Sequence, residues 1–256
     1  MGLLEGKKAV IFGVANERSI AWAIAKTFRD EGAELAFTYA NEAVGKRVFP
    51  LAESLGVDLV LPCDVTNDDQ IRKVFEDVGK VWDGVDIIIH SVAFANREEL
   101  KGSFLNTTRA GFATAMDISA YSLVAIVKEA FPLMKGRGGS VLAMTYYASE
   151  KVFPNYNVMG VAKAALEAIV RYLAEAVGPD GVRVNAISAG PLKTLAASGV
   201  GGFHQIAGHV EAKAPLRCNI EQQDVANAAL YLCSDLSRRV TGGIHFVDSG
   251  YNIMGM

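Results

Sequence analysis

Lys8-Ala9-Val10-Ile11-Phe12-Gly13 is a short apolar run that stops at a glycine; polar Asn16-Glu17-Arg18-Ser19 follow, and from Ile20 to Phe28 apolar residues recur at helical spacing. The order is strand, loop, helix. Outward from this unit the same pattern returns. Glu34 to Tyr39 leads into a helix ending at Leu55, Leu59 to Pro62 into Asp68 to Val78, and Asp86 to His90 into one long helix ending near Met134. Ser140 to Thr145, a helix opened by Tyr156, Arg183 to Ile187, a helix from Gln222 to Leu232 and a last strand near Ile244 to Val247 complete the chain. Strands that alternate with helices predict a parallel sheet covered on both faces, and right-handed crossovers make it doubly wound.

The 256 residues are 51% hydrophobic, enough for one sizeable core, and no linker or composition shift divides them, so a single domain over 1–256 is expected. No apolar run reaches the eighteen or so residues that cross a bilayer, and Met1 to Lys8 has no stretch suited to a signal peptide. The expected compartment is the cytoplasm, with no membrane partner. Cys63, Cys218 and Cys233 lack ligand spacing, which excludes a zinc site or disulfide framework and reads as core thiols. A net charge of −3 with interspersed signs offers no stripe for nucleic acid.

In a doubly wound sheet, ligands sit outside the carboxyl ends of the strands. Gly13 there lets the backbone approach a phosphate, and Ser19 and Ile20 at a helix start favour anions; an ordinary turn and N-cap fit them equally. Asp64 and Val65 follow the third strand, where Asp64 suits an adenine amine or the cap of the next helix. Ser91-Val92-Ala93-Phe94-Ala95 is small and apolar, as a backbone packed on a flat ring would be. Leu195 to Gly208 holds too many glycines for a stable helix yet carries Leu195, Val200, Phe203 and Ile206, the composition of a mobile lid over about 195–208.

Tyr156 and Lys163 are the polar exceptions in a helix that is otherwise largely apolar to Val177. At 3.6 residues per turn they lie close to two turns, roughly 10 Å, apart on one face, with Met159 between them. A lysine ammonium near a phenol would lower its pKa and make it a better acid. A capping tyrosine and a snorkelling lysine are the plain alternative.

Gly13, Ser19 and Ala21 fit G-x-x-x-x-x-S-x-A, and Tyr156, Met159 and Lys163 fit Y-x-x-M-x-x-x-K. With R-V-N-A-I-S-A-G-P at Arg183 to Pro191, T-L-A-A-S-G from Thr194, N-Y-N-V-M-G at Asn155 and C-D-V at Cys63, essentially the whole chain resembles the divergent branch of the short-chain dehydrogenase/reductases, of Rossmann type, and within it the bacterial enoyl-acyl carrier protein reductases.

The resemblance implies NADH as cofactor, an enoyl-acyl carrier protein as substrate and a homotetramer. Hydride would pass to C3 of a trans-2-enoyl thioester, with Tyr156 holding the enolate oxygen, Lys163 the nicotinamide ribose and Tyr146 acting as a second active-site tyrosine. Gly13, Ser19, Ile20, Ala40, Asp64, Val65, Ser91, Val92, Ala93, Lys163, Leu192, Lys193, Thr194, Leu195 and Ala196 would line the dinucleotide; Phe94, Ala95, Tyr146, Tyr156, Met159, Val200 and Phe203 would meet substrate. No metal is implied. Ala40 lacks the polar side chain expected at the adenosine ribose, and Gly201, His204 and Gln205 stand where relatives often carry cations for the carrier protein. Carbonyl-reducing relatives keep a serine where this chain reads Ala143-Met144-Thr145-Tyr146, and an asparagine where it has Asp117. A ketone or alcohol oxidoreductase of the same family and a non-catalytic NAD(H)-sensing module are the alternatives.

Overall fold

The computed structural model describes residues 2–194 and 203–255, with the backbone alone for Phe203 and His204. Strands β1 (Lys8–Phe12), β2 (Glu34–Tyr39), β3 (Leu59–Pro62), β4 (Ile87–His90), β5 (Ser140–Thr145), β6 (Arg183–Ala189) and β7 (Ile244–Val247) form a 7-stranded sheet in the order β3-β2-β1-β4-β5-β6-β7. Every pairing between neighbouring strands is parallel. Around it lie α1 (Ile20–Asp30), α2 (Glu42–Ser54), α3 (Asp68–Val81), α4 (Arg109–Met116), α5 (Ser122–Met134), α6 (Val158–Val177), α7 (Phe203–Lys213) and α8 (Gln222–Cys233).

Alternate residues of each strand enter opposite cores, because side chains leave a strand with period two. Ile87 and Ile89 of β4, with Ile11 and Phe37, pack against Ile24 and Phe28 of α1 and Val225 and Leu232 of α8. Ile88 between them, with Val10, Val141 and Val184, packs against Val74 of α3, Ile126 of α5 and Leu166 of α6. Burial on both faces is why these strands read as unbroken apolar runs. The strand order turns back on itself at β1, between β2 and β4, which opens a crevice at the carboxyl ends of β1 and β4.

Five sequence expectations are corrected. Tyr156 does not open the helix; it sits in a turn before α6, whose first residue is Val158, between Asn155 (φ 62°) and Asn157 (φ 39°). Asparagine is among the few residues that tolerate positive φ, and two of them break the helical path. The long helix is not uniform: a π turn at Asp117–Tyr121 separates α4 from α5. The Arg109–Met134 run contains an 18-residue window long and apolar enough to cross a membrane, at a mean hydropathy of 1.5, against the expectation that no run is; 50% of that window is buried in the protein. Part of the proposed lid is helical, since α7 takes in Gly208. Buried Val210 anchors it, enough to offset the roughly 1 kcal/mol a helical glycine costs. Cys63 and Cys233 are buried thiols, but Cys218 is exposed.

Candidate active site

A cleft of about 850 Å³ runs along the carboxyl ends of the strands, from Ala40 and Asp64 past Gly13 and Val92 to Tyr146, Tyr156 and Leu192. Ser19, Ile20, Val65, Ser91, Ala93, Phe94, Ala95, Met159, Lys163 and Thr194 line it as well. Lys193 is exposed and stands outside the lining. Leu195, Ala196, Val200 and the Phe203 side chain lie outside the described residues.

At the crevice, Gly13 has φ +107°, and a Cβ on it would lie 2.2 Å from the Ser91 carbonyl oxygen. Its first duty is therefore close approach to the neighbouring strand end, where the Ser91 N–H donates to the Phe12 carbonyl (3.0 Å). Ser19 precedes α1 without capping it: its hydroxyl donates to the Asn16 carbonyl (2.7 Å) and tightens the loop. The first N–H groups of α1 then face the crevice without a side-chain cap, a setting that suits an anion. Asp64 does not cap α3, whose cap is Asn67; Oδ1 of Asp64 accepts from the N–H (3.0 Å) and hydroxyl (2.8 Å) of Thr66.

At the other end, the Tyr146 and Tyr156 rings meet edge to face at 5.1 Å, and Phe153 packs on Tyr146 at 5.1 Å. Burial pushes both phenols above the ordinary tyrosine range, and no cation offsets it at Tyr156. The expectation that Lys163 acidifies Tyr156 is thus not met. Lys163 is 5% exposed and donates to the Met144 carbonyl (2.7 Å) instead. Burial brings its pKa down to about 8, opposed by Glu167 one helical turn on. Both tyrosines stay neutral hydrogen-bond donors at any working pH.

Two positioning side chains escaped the sequence reading. Ser119, in the π turn and fully buried, accepts from the Phe94 N–H (2.9 Å) and lies 3.7 Å from the Met159 sulfur, joining the two walls of the substrate end. Glu167 accepts from the Thr145 hydroxyl (2.7 Å). No signal in the sequence singled out Ser119, which stands beside Asp117, Tyr121 and Ser122. Among the described residues, no group of acidic, histidine or cysteine side chains is placed to hold a metal ion.

Residues 13–252 match the family described as Enoyl-(Acyl carrier protein) reductase. The NADH-dependent enoyl-acyl-carrier-protein reductase of Aquifex aeolicus is 53% identical over 256 residues, covering 100% of this chain and 95% of its own. Among solved structures, that of the Anaplasma phagocytophilum reductase in complex with NAD superposes with a TM-score of 0.96 at 51% identity, covering 100% of this chain and 97% of that one. The Bacillus cereus enoyl-acyl carrier protein reductase, solved with NADP+ and indole naphthyridinone, gives 0.97 at 51% identity with 100% of both chains covered. Identity of this order over the full length, on the same sheet, leaves one assignment: the chain belongs to the enoyl-acyl carrier protein reductase family.

Proposed function

We propose that this protein is an NADH-dependent oxidoreductase that reduces the C2=C3 double bond of trans-2-enoyl thioesters carried on acyl carrier protein, in fatty acid elongation. The observation that carries this reading is the commitment of Thr145. It is the hydroxyl at the end of β5, nearest the position where carbonyl-reducing relatives keep a serine, and it donates to buried Glu167 rather than into the cleft. The polar groups at the substrate end of the cleft include the two neutral phenols.

The cleft fits a dinucleotide. Gly13 leaves no room for a side chain beside Ser91, the start of α1 is uncapped, and Val92 and Ala93 offer a small apolar surface. Gly13, Ser19 and Ile20 would hold the pyrophosphate; Ala40, Asp64 and Val65 the adenosine; Ser91, Val92, Ala93, Lys163, Leu192, Lys193, Thr194, Leu195 and Ala196 the nicotinamide end. NADH, when bound, supplies the hydride that adds to C3 of the enoyl group. Tyr156 donates a hydrogen bond to the thioester oxygen, where negative charge develops as the double bond is reduced, and C2 is then protonated. Tyr146 packs against it and limits its rotamers. Lys163 orients the ribose and adds positive potential. Phe94, Ala95 and Met159 exclude water from the reacting carbons, and Val200 and Phe203 lie in the segment assigned as lid.

The protein acts as one domain over 1–256. It assembles as a homotetramer in the cytoplasm, with no membrane or nucleic acid partner. The argument for assembly is apolar surface on two neighbouring elements, with Tyr172 of α6 80% exposed and Tyr121 of the π turn 51% exposed. Light scattering at micromolar concentration should give four subunits; a stable monomer would refute this.

The test of function is NADH oxidation with crotonyl thioester, run beside a 3-ketoacyl thioester. Turnover of the enoyl substrate alone is expected. Preference for the ketone would return the protein to the carbonyl reductases, and NADH binding without turnover of either would make it a sensing module.

A further inference from the structure

Two consecutive residues at the end of β5 are tied to two consecutive turns of α6. Lys163 Nζ donates to the Met144 carbonyl, and Glu167 Oε1 accepts from the Thr145 hydroxyl, each at 2.7 Å and each buried. Glu167 is only 6% exposed, and a carboxylate is costly there unless its charge is used. Lys163 and Glu167 are i and i+4 on one helix, so their heads are neighbours, yet each bonds the strand instead of the other. We propose that Glu167 is a positioning residue of the reductase site: its carboxylate is the buried counter-charge that keeps Lys163 an ammonium, and through Thr145 it fixes the strand end from which Tyr146 projects. This deepens the proposed function, since as an ammonium Lys163 keeps two N–H donors and a positive charge for the ribose beyond the bond it gives Met144.

The other ionisable groups on elements packed against this part of α6 do not supply that charge. His90 on β4 is pushed down to about 3 by burial and by Lys163 itself, so it is neutral at working pH. Tyr146 and Tyr156 are neutral, as above. Glu99, in the turn at Arg97–Leu100, accepts from the Thr108 hydroxyl and N–H. On α5, Glu129 lies 3.9 Å from Lys128, and on β6 Arg183 begins the strand, at the end away from the cleft, bonded to Leu232 and Ser237. Arg97 and Glu98 beside Glu99, Arg109 of α4, Asp117 and Tyr121 of the π turn and Tyr147 of the turn at Tyr147–Ser149 are the other ionisable groups on these elements, and the group that raises Lys163 is Glu167.

The test reads Lys163 directly, by pH titration of its 13Cε resonance in the protein without cofactor, assigned by its loss in Lys163→Ala. Glu167→Gln keeps an acceptor for Thr145 and removes the charge; the Lys163 midpoint should fall by about one unit or more. The pH above which NADH binding weakens, followed by nucleotide fluorescence, should fall with it. Thr145→Val removes the bond and keeps the charge, so its midpoint should not fall. Glu167→Met, apolar and of similar length, should repeat the shift and decides the matter if the glutamine variant misfolds. An unchanged midpoint in the Gln or Met variant, or an equal fall in Thr145→Val, overturns the proposal. Because the NMR arm involves neither NADH turnover nor substrate, a midpoint that falls as expected in a protein inactive on enoyl thioesters would refute the reductase reading alone.

Discussion

Replacing Gly13 by alanine strikes the crevice where the dinucleotide is proposed to lie. The backbone there has φ +107°, and an added Cβ would lie 2.2 Å from the Ser91 carbonyl oxygen. Holding an alanine at positive φ costs about 1–2 kcal/mol, and relieving the overlap, by a shift on the order of 1 Å between the ends of β1 and β4, about 1–3 more. Stability should therefore fall by roughly 2–5 kcal/mol. Both displaced segments line the cleft, and a misplacement of about 1 Å can cost on the order of 100-fold in function, so NADH affinity should drop at least about tenfold. Urea unfolding without ligand gives the first quantity and fluorescence titration with NADH the second. A Gly13→Ala protein within about 0.5 kcal/mol of the parent, with the same NADH affinity, would show that neither the strain nor the close approach matters.

Tyr156→Phe should lower kcat by about 1–3 kcal/mol of transition-state stabilisation with little change in NADH affinity, because the phenol is a neutral donor with Tyr146 beside it; Lys163→Ala should weaken NADH binding and turnover together. Steady-state kinetics with direct NADH titration separate the two, and loss of activity in Tyr146→Phe with a silent Tyr156→Phe would exchange the tyrosines' roles. NADH should be preferred over NADPH by about tenfold or more in kcat/KM, some 1.4 kcal/mol, because the Asn41 side chain after β2 already caps Val44 (3.1 Å) and Glu42 would repel a 2'-phosphate; equal values would mean that Lys46 or Arg47 reaches back. His90 is held neutral, its pKa brought from 6.5 down to about 3, so the unfolded chain binds the extra proton in that window. That contribution is fully present above pH 6.5 and is lost as pH falls toward 3, at up to about 1.4 kcal/mol per pH unit. Urea unfolding at several pH values should show the slope, His90→Gln should flatten it by about one proton, and an equal slope in that variant would refute the assignment.

The strands were legible because burial on both faces leaves continuous apolar runs that no solvent-facing helix would show. The helix limits near Ile20, Asp68 and Gln222 followed from periodicity. Other features depended on contacts that periodicity does not encode. Asn155 and Asn157 hold Tyr156 in a turn and delay the start of α6 to Val158, and the N-Y-N spelling was a signal of it. Gly13 is dictated by Ser91, far along the chain, rather than by a phosphate alone. Glu167 reads as one more charge on a helix, and only the fold turns it inward to Thr145. The mutual effect of Tyr156 and Lys163 was misjudged for a related reason: spacing brings them near each other, but burial governs the phenol and the Met144 carbonyl takes the ammonium.

The central claim is that this cleft directs a hydride to C3 of an enoyl thioester and a proton to C2. Reduction of crotonyl thioester with NADH deuterated at the transferable position, in ordinary water, followed by mass spectrometric and NMR analysis of the acyl product, tests it most directly. The account predicts a saturated butyryl thioester with one deuterium at C3, and with unlabelled NADH in heavy water one deuterium at C2. Deuterium on the thioester carbon, an unsaturated alcohol or aldehyde as product, or unlabelled butyryl thioester would contradict it.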